Sequence, residues 1–170
     1  LLKSIAERHN NKTGIKLVGL DISSNMIKHA KINNKDSKIK FFNRNVAKYD
    51  FKTSSIILSI YTIQFIKPKI RQQLIDKIYK NLDWGGAFFL FEKVRGADAR
   101  FQDMMISAYN EYKVNEGFNA DEILNKTASL KGILEPFSSN ANVQMLKRAG
   151  FKDVSTIAKF VSFEGFLAIK

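Results

Sequence analysis

Asp21 closes a β-rich run in LVGLDISSNMIKHAK, and it is the first place in the sequence where residue type and position together suggest chemistry. A carboxylate at the end of a strand either caps the helix that follows or holds a ligand, and Ser23 or Ser24 stands ready as a rival cap. Asn45 and Val46 follow a second such run, where the ordinary reading is a turn asparagine. Other chemistries are excluded by composition. The chain has no cysteine, so disulfides, zinc-thiolate sites and cysteine nucleophiles are ruled out, and a reducing cytoplasm is the expected compartment. With only His9 and His29, no metal site is expected either.

The formal net charge of +12 would suit a polyanion such as nucleic acid. The excess is mostly lysine spread over every segment, however, and no basic-aromatic motif accompanies it. A solvated basic surface is the simpler reading, with a small molecule as the default substrate. No apolar run approaches the roughly 20 residues that a membrane span requires, and Lys3, Glu7 and Arg8 interrupt the N-terminal apolar stretch, so no membrane partner is expected.

The elements that must position these residues alternate between short strands and amphipathic helices, the pattern of a parallel sheet covered by helices. Residues 1–8 read as the tail of a helix with Leu2, Ile5 and Ala6 inward, ended by the polar cluster at 10–14. Residues 15–20 and 39–43 read as strands, with a helix through Met26, Ile27 and Ala30 between them. The run 55–65 is apolar and β-branched, the pattern of a strand buried on both faces in mid-sheet. Pro68 opens a helix with Ile70, Leu74, Ile75, Ile78 and Leu82 inward, while Arg71, Gln72, Lys77 and Lys80 take the wet side. Trp84-Gly85-Gly86 is a turn into a strand at 87–91. Residues 98–132 read as two inserted helices whose Phe101, Met104, Met105, Tyr109 and Phe118 are first of all core, with pocket cover or a homodimer face as the alternative. A helix at 142–148 ends at Gly150, and 154–157 with 160–169 form a closing antiparallel pair.

This order resembles class I S-adenosylmethionine-dependent methyltransferases across the chain, which implies an α/β, Rossmann-like sheet with helices on both faces. Residues 1–170 would be a single binding domain, with 98–132 as its helical insertion. The resemblance makes S-adenosyl-L-methionine the implied cofactor. It places Asp21 on the ribose hydroxyls, which one carboxylate can bind together, and Ile22 on the adenine. It also places Asn45 and Val46 at the adenine edge and the segment beginning Ser59, Ile60 and Tyr61 beside the methionine part. The family's Gly-x-Gly-x-Gly loop is absent, and its place would be just before Leu1. The resemblance therefore implies a chain opening inside the helix after that loop, without the first strand.

A narrower likeness covers TIQFIKP, KIYKNLDWGGAFFLFEK, NEGFNADEILNKTASLKGILEPF, LKRAGF and FEGFLAIK. These runs resemble the carboxy-S-adenosyl-L-methionine synthase family, whose product serves tRNA wobble-uridine modification. That family has an arginine on the extra carboxylate, in a run like ISQKR, where ILNKT puts Thr127. Losing one partner of such a shielded pair costs about 2 to 5 kcal/mol. Lys126 projects about 100° away from its helical neighbour, so plain S-adenosylmethionine use is expected unless Lys126, Lys131 or Arg95 supplies the cation. For methyl transfer to an unidentified acceptor no base is mandatory. Tyr61 is the preferred catalytic candidate, with Glu92 and Tyr112 as the other nearby polar groups. The remaining alternative is a non-catalytic cofactor- or RNA-binding module.

Overall fold

The computed structural model describes residues 1–9, 14–35 and 38–170. The chain forms two compact units, Leu1–Asp50 and Phe51–Lys170.

In the first unit, α1 (Leu2–Arg8) keeps Leu2, Ile5 and Ala6 half-buried. The cluster expected to end this helix falls mostly at 10–13, outside the described residues. β1 (Leu17–Asp21) starts two residues later than its apolar run and takes in Asp21 itself. It pairs in parallel with β2 (Ile39–Asn43), setting Asp21 opposite Asn43. Between them runs α2 (Ser24–Ile32), capped by Ser23, whose hydroxyl accepts from the Met26 N–H at 3.4 Å. Glycine is required at position 19 by close approach, since a methyl there would stand 2.7 Å from the Phe41 ring.

The second unit carries a four-stranded mixed sheet in the order β3-β4-β6-β5. β3 (Ser54–Ile60), α3 (Pro68–Lys80) and β4 (Leu82–Lys93) make a parallel crossover. β5 (Asp153–Phe160) and β6 (Phe163–Ile169) form the expected antiparallel pair, and β6 also lies antiparallel to β4. Period-2 alternation buries Phe88 and Leu90 of β4 with Phe166 and Ala168 of β6. That face packs with Leu74, Ile75 and Ile78 of α3 and Met145 and Leu146 of α6 (Ser139–Ala149).

Four expectations need correction. The run 55–65 is not one strand buried on both faces: β3 stops at Ile60, forms the edge of its sheet and leaves Ile56 59% exposed. β-branched residues announce a strand without counting its neighbours. Arg71 is not on the wet side but 2% exposed. Helical spacing sends a charged residue outward by default, whereas this guanidinium donates to the Gln64 and Ile66 carbonyls at 3.0 and 2.7 Å and stacks on Phe137. The Trp84-Gly85-Gly86 turn lies inside β4, where pairing skips from Ser54–Leu82 to Ile56–Ala87, with Gly85 at φ 73. Finally, the inserted helices α4 (Ala99–Asn115) and α5 (Ala120–Leu130) are well capped, by Asp98 and by an Asn119–Glu122 capping box, yet α4 buries none of its residues. Spacing found its apolar face but could not say what covers it. Among the described residues no helix is long and apolar enough to cross a membrane.

Candidate functional site

In the first unit the β1–α2 corner is built from backbone outward. Asn43 Nδ2 donates to the carbonyls of Asp21 and Ile22 at 3.1 and 2.7 Å, and the Arg44 N–H donates to Asp21 O at 3.0 Å. With the loop held this way, Asp21 Oδ1 accepts from the Ser23 N–H at 2.7 Å. One carboxylate oxygen thus fixes the rotamer, and Oδ2 has no partner among the described residues. Ile22 projects beside it, 72% exposed. The corner therefore presents an oriented anion next to bare apolar surface. A depression of about 390 Å³ in this unit runs along β2 and the end of α2, lined by Lys31, Lys35, Ile39 and Phe41 among others, and Asp21 is not part of its lining.

After β2, Asn45 Oδ1 accepts from the Ala47 N–H at 3.0 Å, capping the turn Val46–Lys48. Its amide NH2 makes no hydrogen bond among the described residues. Val46 is half-buried.

In the second unit β3 ends at a strained residue, Tyr61, a non-glycine at φ 49 whose N–H donates to Phe91 O at 2.8 Å. The next three backbone N–H groups turn onto one side chain: Thr62 and Ile63 donate to Glu92 Oε1 at 3.3 and 3.0 Å, and Gln64 donates to Oε2 at 2.7 Å. Burial pushes the Glu92 carboxyl up to about 7, outweighing those three donors and the Arg71 charge, which pull it down. Glu92 therefore serves this turn with its oxygens fully engaged. Gln64 is structural too, its side-chain oxygen accepting from the Lys93 N–H at 2.7 Å. Of the segment expected to border a ligand, Ile63 and Gln64 are interior, while Ile60 and Tyr61 are 38% and 43% exposed. Ser59 is 8% exposed with a hydroxyl that has no hydrogen-bond partner.

The candidates for the other substrate scatter. Tyr112 lies on α4, with its ring 5.2 Å from Phe160 and 6.3 Å from Tyr109. Tyr61 joins the same aromatic group through Phe163 at 5.5 Å. Lys126 and Thr127 are exposed on α5, and Lys131 follows it. Arg95 Nε donates to Pro136 O at 3.1 Å, tying its strand end to the segment before α6. None of these four shares a ring contact with the tyrosines. Sequence reasoning missed the structural roles of Asn43, Gln64, Arg71 and Glu92. Asn43 was findable as the residue in register with an acid at parallel strand ends; a buried arginine leaves no such mark.

A methyltransferase domain family matches residues 1–86. Carboxy-S-adenosyl-L-methionine synthase of Campylobacter lari is 36% identical over all of this chain and 72% of the relative. That of Campylobacter jejuni subsp. jejuni is 39% identical over 95% of the chain and 69% of the relative. The chain belongs to the carboxy-S-adenosyl-L-methionine synthase family. Membership makes it an S-adenosylmethionine-dependent transferase with a methyltransferase domain. Solved methyltransferases share the fold at low identity. Human N-acetylserotonin methyltransferase, crystallised with S-adenosylmethionine, aligns over 99% of this chain with a TM-score of 0.60 and 16% identity. A putative O-methyltransferase from Nostoc punctiforme gives 0.66 and 14% over 98%. The chain spans about half the length of these two, 45% and 47%. The synthase family's likeness thus reaches past the methyltransferase domain match at 1–86 into α4, α5 and the closing hairpin.

Proposed function

We propose that this protein transfers the methyl group of S-adenosylmethionine to a small molecule, with residues 1–170 as one binding domain and 98–132 as its helical insertion. Position 127 carries the choice of reaction. Thr127 Oγ1 donates to the Ile123 carbonyl one turn back at 2.8 Å, so its only proton is spent on its own helix. It brings neither the charge nor the donors that a carboxylated cofactor would need there.

Each unit by itself offers groups that suit the cofactor: in the first, Asp21 has an oriented carboxylate with an oxygen to spare and Ile22 is bare; in the second, Ser59 has a buried hydroxyl without a partner among the described residues. When bound, the cofactor supplies an electrophilic methyl on a sulfonium. Asp21 would hold the ribose hydroxyls, Ile22 and Val46 would cover the adenine, and Asn45 would offer its amide N–H to the ring edge. Ser59, Ile60 and Tyr61 border the methionine part. Tyr61, whose backbone is fixed by its bond to Phe91 and by the Glu92 clamp on the next three residues, is the candidate to exchange a proton with the acceptor through its hydroxyl. Cytoplasmic residence accords with a chain that contains no cysteine. Phe101, Met104 and Leu124, 53%, 59% and 65% exposed, support a homodimer through the inserted helices.

A second reading, synthesis of carboxy-S-adenosyl-L-methionine for tRNA modification, is favoured by identity of 36% and 39% over nearly the whole chain. It needs a cation from Lys126, Lys131 or Arg95 in place of the family arginine. Mass spectrometry of the ligand released from the purified protein decides between the two. S-adenosylmethionine or its demethylated product is expected; a species heavier by one carboxylate would instead establish the second reading.

A further inference from the structure

Positive charge is concentrated in one part of the first unit. Residues 28–44 hold Lys28, Lys31, Lys35, Lys38, Lys40 and Arg44 against one acid, Asp36, and so supply five of the net twelve charges. Folding gathers three of these lysines around one hollow. The depression of about 390 Å³ along β2 takes its lining from Lys31, Lys35 and Lys40, from Asn34, and from the apolar side chains of Ile39, Phe41 and Phe42. No acid is among the described residues that line it.

Local geometry explains why the hollow is basic and aromatic at once. Lys31 lies in the last turn of α2, and Lys35 follows four residues on, past the helix end at Ile32. That end is closed from within: the His29 and Lys31 carbonyls accept the N–H groups of Asn33 and Asn34 at 3.0 and 3.4 Å, and Ala30 O accepts from Asn34 Nδ2 at 2.7 Å. The carbonyls that would turn an anion away from a helix C-terminus are thereby answered. On β2 the two-residue period sets Lys40 and Phe42 on one face and Ile39 and Phe41 on the other. The Phe41 ring is held against Gly19 of β1, where a methyl group would stand 2.7 Å from it, and Phe42 is left 39% exposed.

The three lysines are exposed, and Ile39 alone of the described lining is buried, so the hollow does not enclose a small molecule as a ligand pocket does. One exposed ring among lysines offers little apolar area to a lipid surface. The surface complements an extended polyanion that carries flat groups at intervals, with phosphates neutralised by the ammonium groups and a base stacked on the ring.

We infer that Lys31, Lys35, Lys40 and Phe42 form a binding surface for single-stranded nucleic acid, apart from the Asp21 corner and independent of the reaction that the cofactor serves. The probes are labelled oligouridylate and oligothymidylate of about ten nucleotides, within the usual span of such sites, followed by fluorescence anisotropy across a salt series. At least one should bind, its affinity falling with salt at a log–log slope near −2, which is about 0.7 for each of three phosphates neutralised. Lys31→Gln, Lys35→Gln and Lys40→Gln combined should remove most of that slope. Lys69→Gln, Lys147→Gln and Lys152→Gln combined, which take the same charge from exposed positions of the second unit, should leave it. Phe42→Leu should weaken binding about tenfold at every salt concentration without altering the slope, as the loss of one stacked base does. All seven side chains are exposed, so these changes take little packing from the fold. The better-bound probe separates RNA from DNA. Equal losses in the two triple variants, unchanged affinity in Phe42→Leu, which would leave a surface for anions of any kind, or no binding of either oligomer would each overturn the site.

Discussion

At the scale of single residues, two carboxylates do different work, and their surroundings say which. Asp21 has one oxygen without a partner among the described residues after spending the other on the Ser23 N–H, and we propose it as the ribose ligand. Asp21→Asn preserves shape and removes charge, so calorimetry should show S-adenosylmethionine affinity falling about tenfold or more, in line with the roughly 1.5–3 kcal/mol of a hydrogen bond to a charged group. Unchanged affinity would dismiss Asp21 as a ligand. Glu92 has no oxygen to spare, and its effect is on stability. Its carboxyl titrates near 7 in the fold against 4.5 ordinarily, so the unfolded chain loses this proton first as pH rises. Stability from Glu92 is full below about pH 4.5 and falls until about pH 7, by on the order of 3 kcal/mol at most. Urea midpoints between pH 5 and 8 should show this decline, and Glu92→Gln should flatten it. A slope unaltered in that variant would place the titration elsewhere. The acid at 21 was legible because a strand and a helix flank it. The clamp on Glu92 was not, because its donors are backbone groups of residues about 30 positions away in sequence.

At the scale of elements, what was legible is what is local. Ser23 caps α2 and Gly150 ends α6 in the left-handed region, as their positions beside the helices imply, and the caps at Asp98 and Asn119 that were not expected are equally local, acting within four residues of the helix end. Gly150 also lies 2.7 Å, measured from an added methyl, from the Tyr79 ring, and that ring is itself wedged edge-on against Phe151 at 4.9 Å. Gly150→Ala therefore combines positive-φ strain with a clash in the α3–α6 packing. It should cost roughly 3 kcal/mol or more in denaturant unfolding, against about 1 kcal/mol for Gly132→Ala, where φ is also positive but nothing lies within 4 Å. Equal losses at both sites would mean that backbone strain alone decides. What failed at this scale was non-local. The edge position of β3 depends on strand order, which no run of β-branched residues encodes, and the burial of Arg71 depends on carbonyls five and seven residues upstream that turn toward it.

At the scale of the whole molecule, the balance between charge and apolar surface bears on assembly. A net charge of +12 opposes self-association, yet Phe101, Met104, Val114, Phe118 and Leu124 leave α4 and α5, together with the turn between them, unusually apolar and exposed. If those helices form a homodimer, the apolar face must bury an area of the usual size, about 1,200–2,000 Å² in total, and charge repulsion must be screened. Sedimentation at about 150 mM salt, where the Debye length is about 8 Å, should then give a mass near twice 19.4 kDa, with dissociation favoured as salt is lowered. Met104 and Leu124 are 59% and 65% exposed in the protomer, so Met104→Lys with Leu124→Lys removes no packing from the fold and should leave the circular dichroism and thermal midpoint of the dissociated protomer unchanged while producing monomer at every salt concentration. A monomer in the unsubstituted protein under all conditions would instead assign this surface to something other than a second copy.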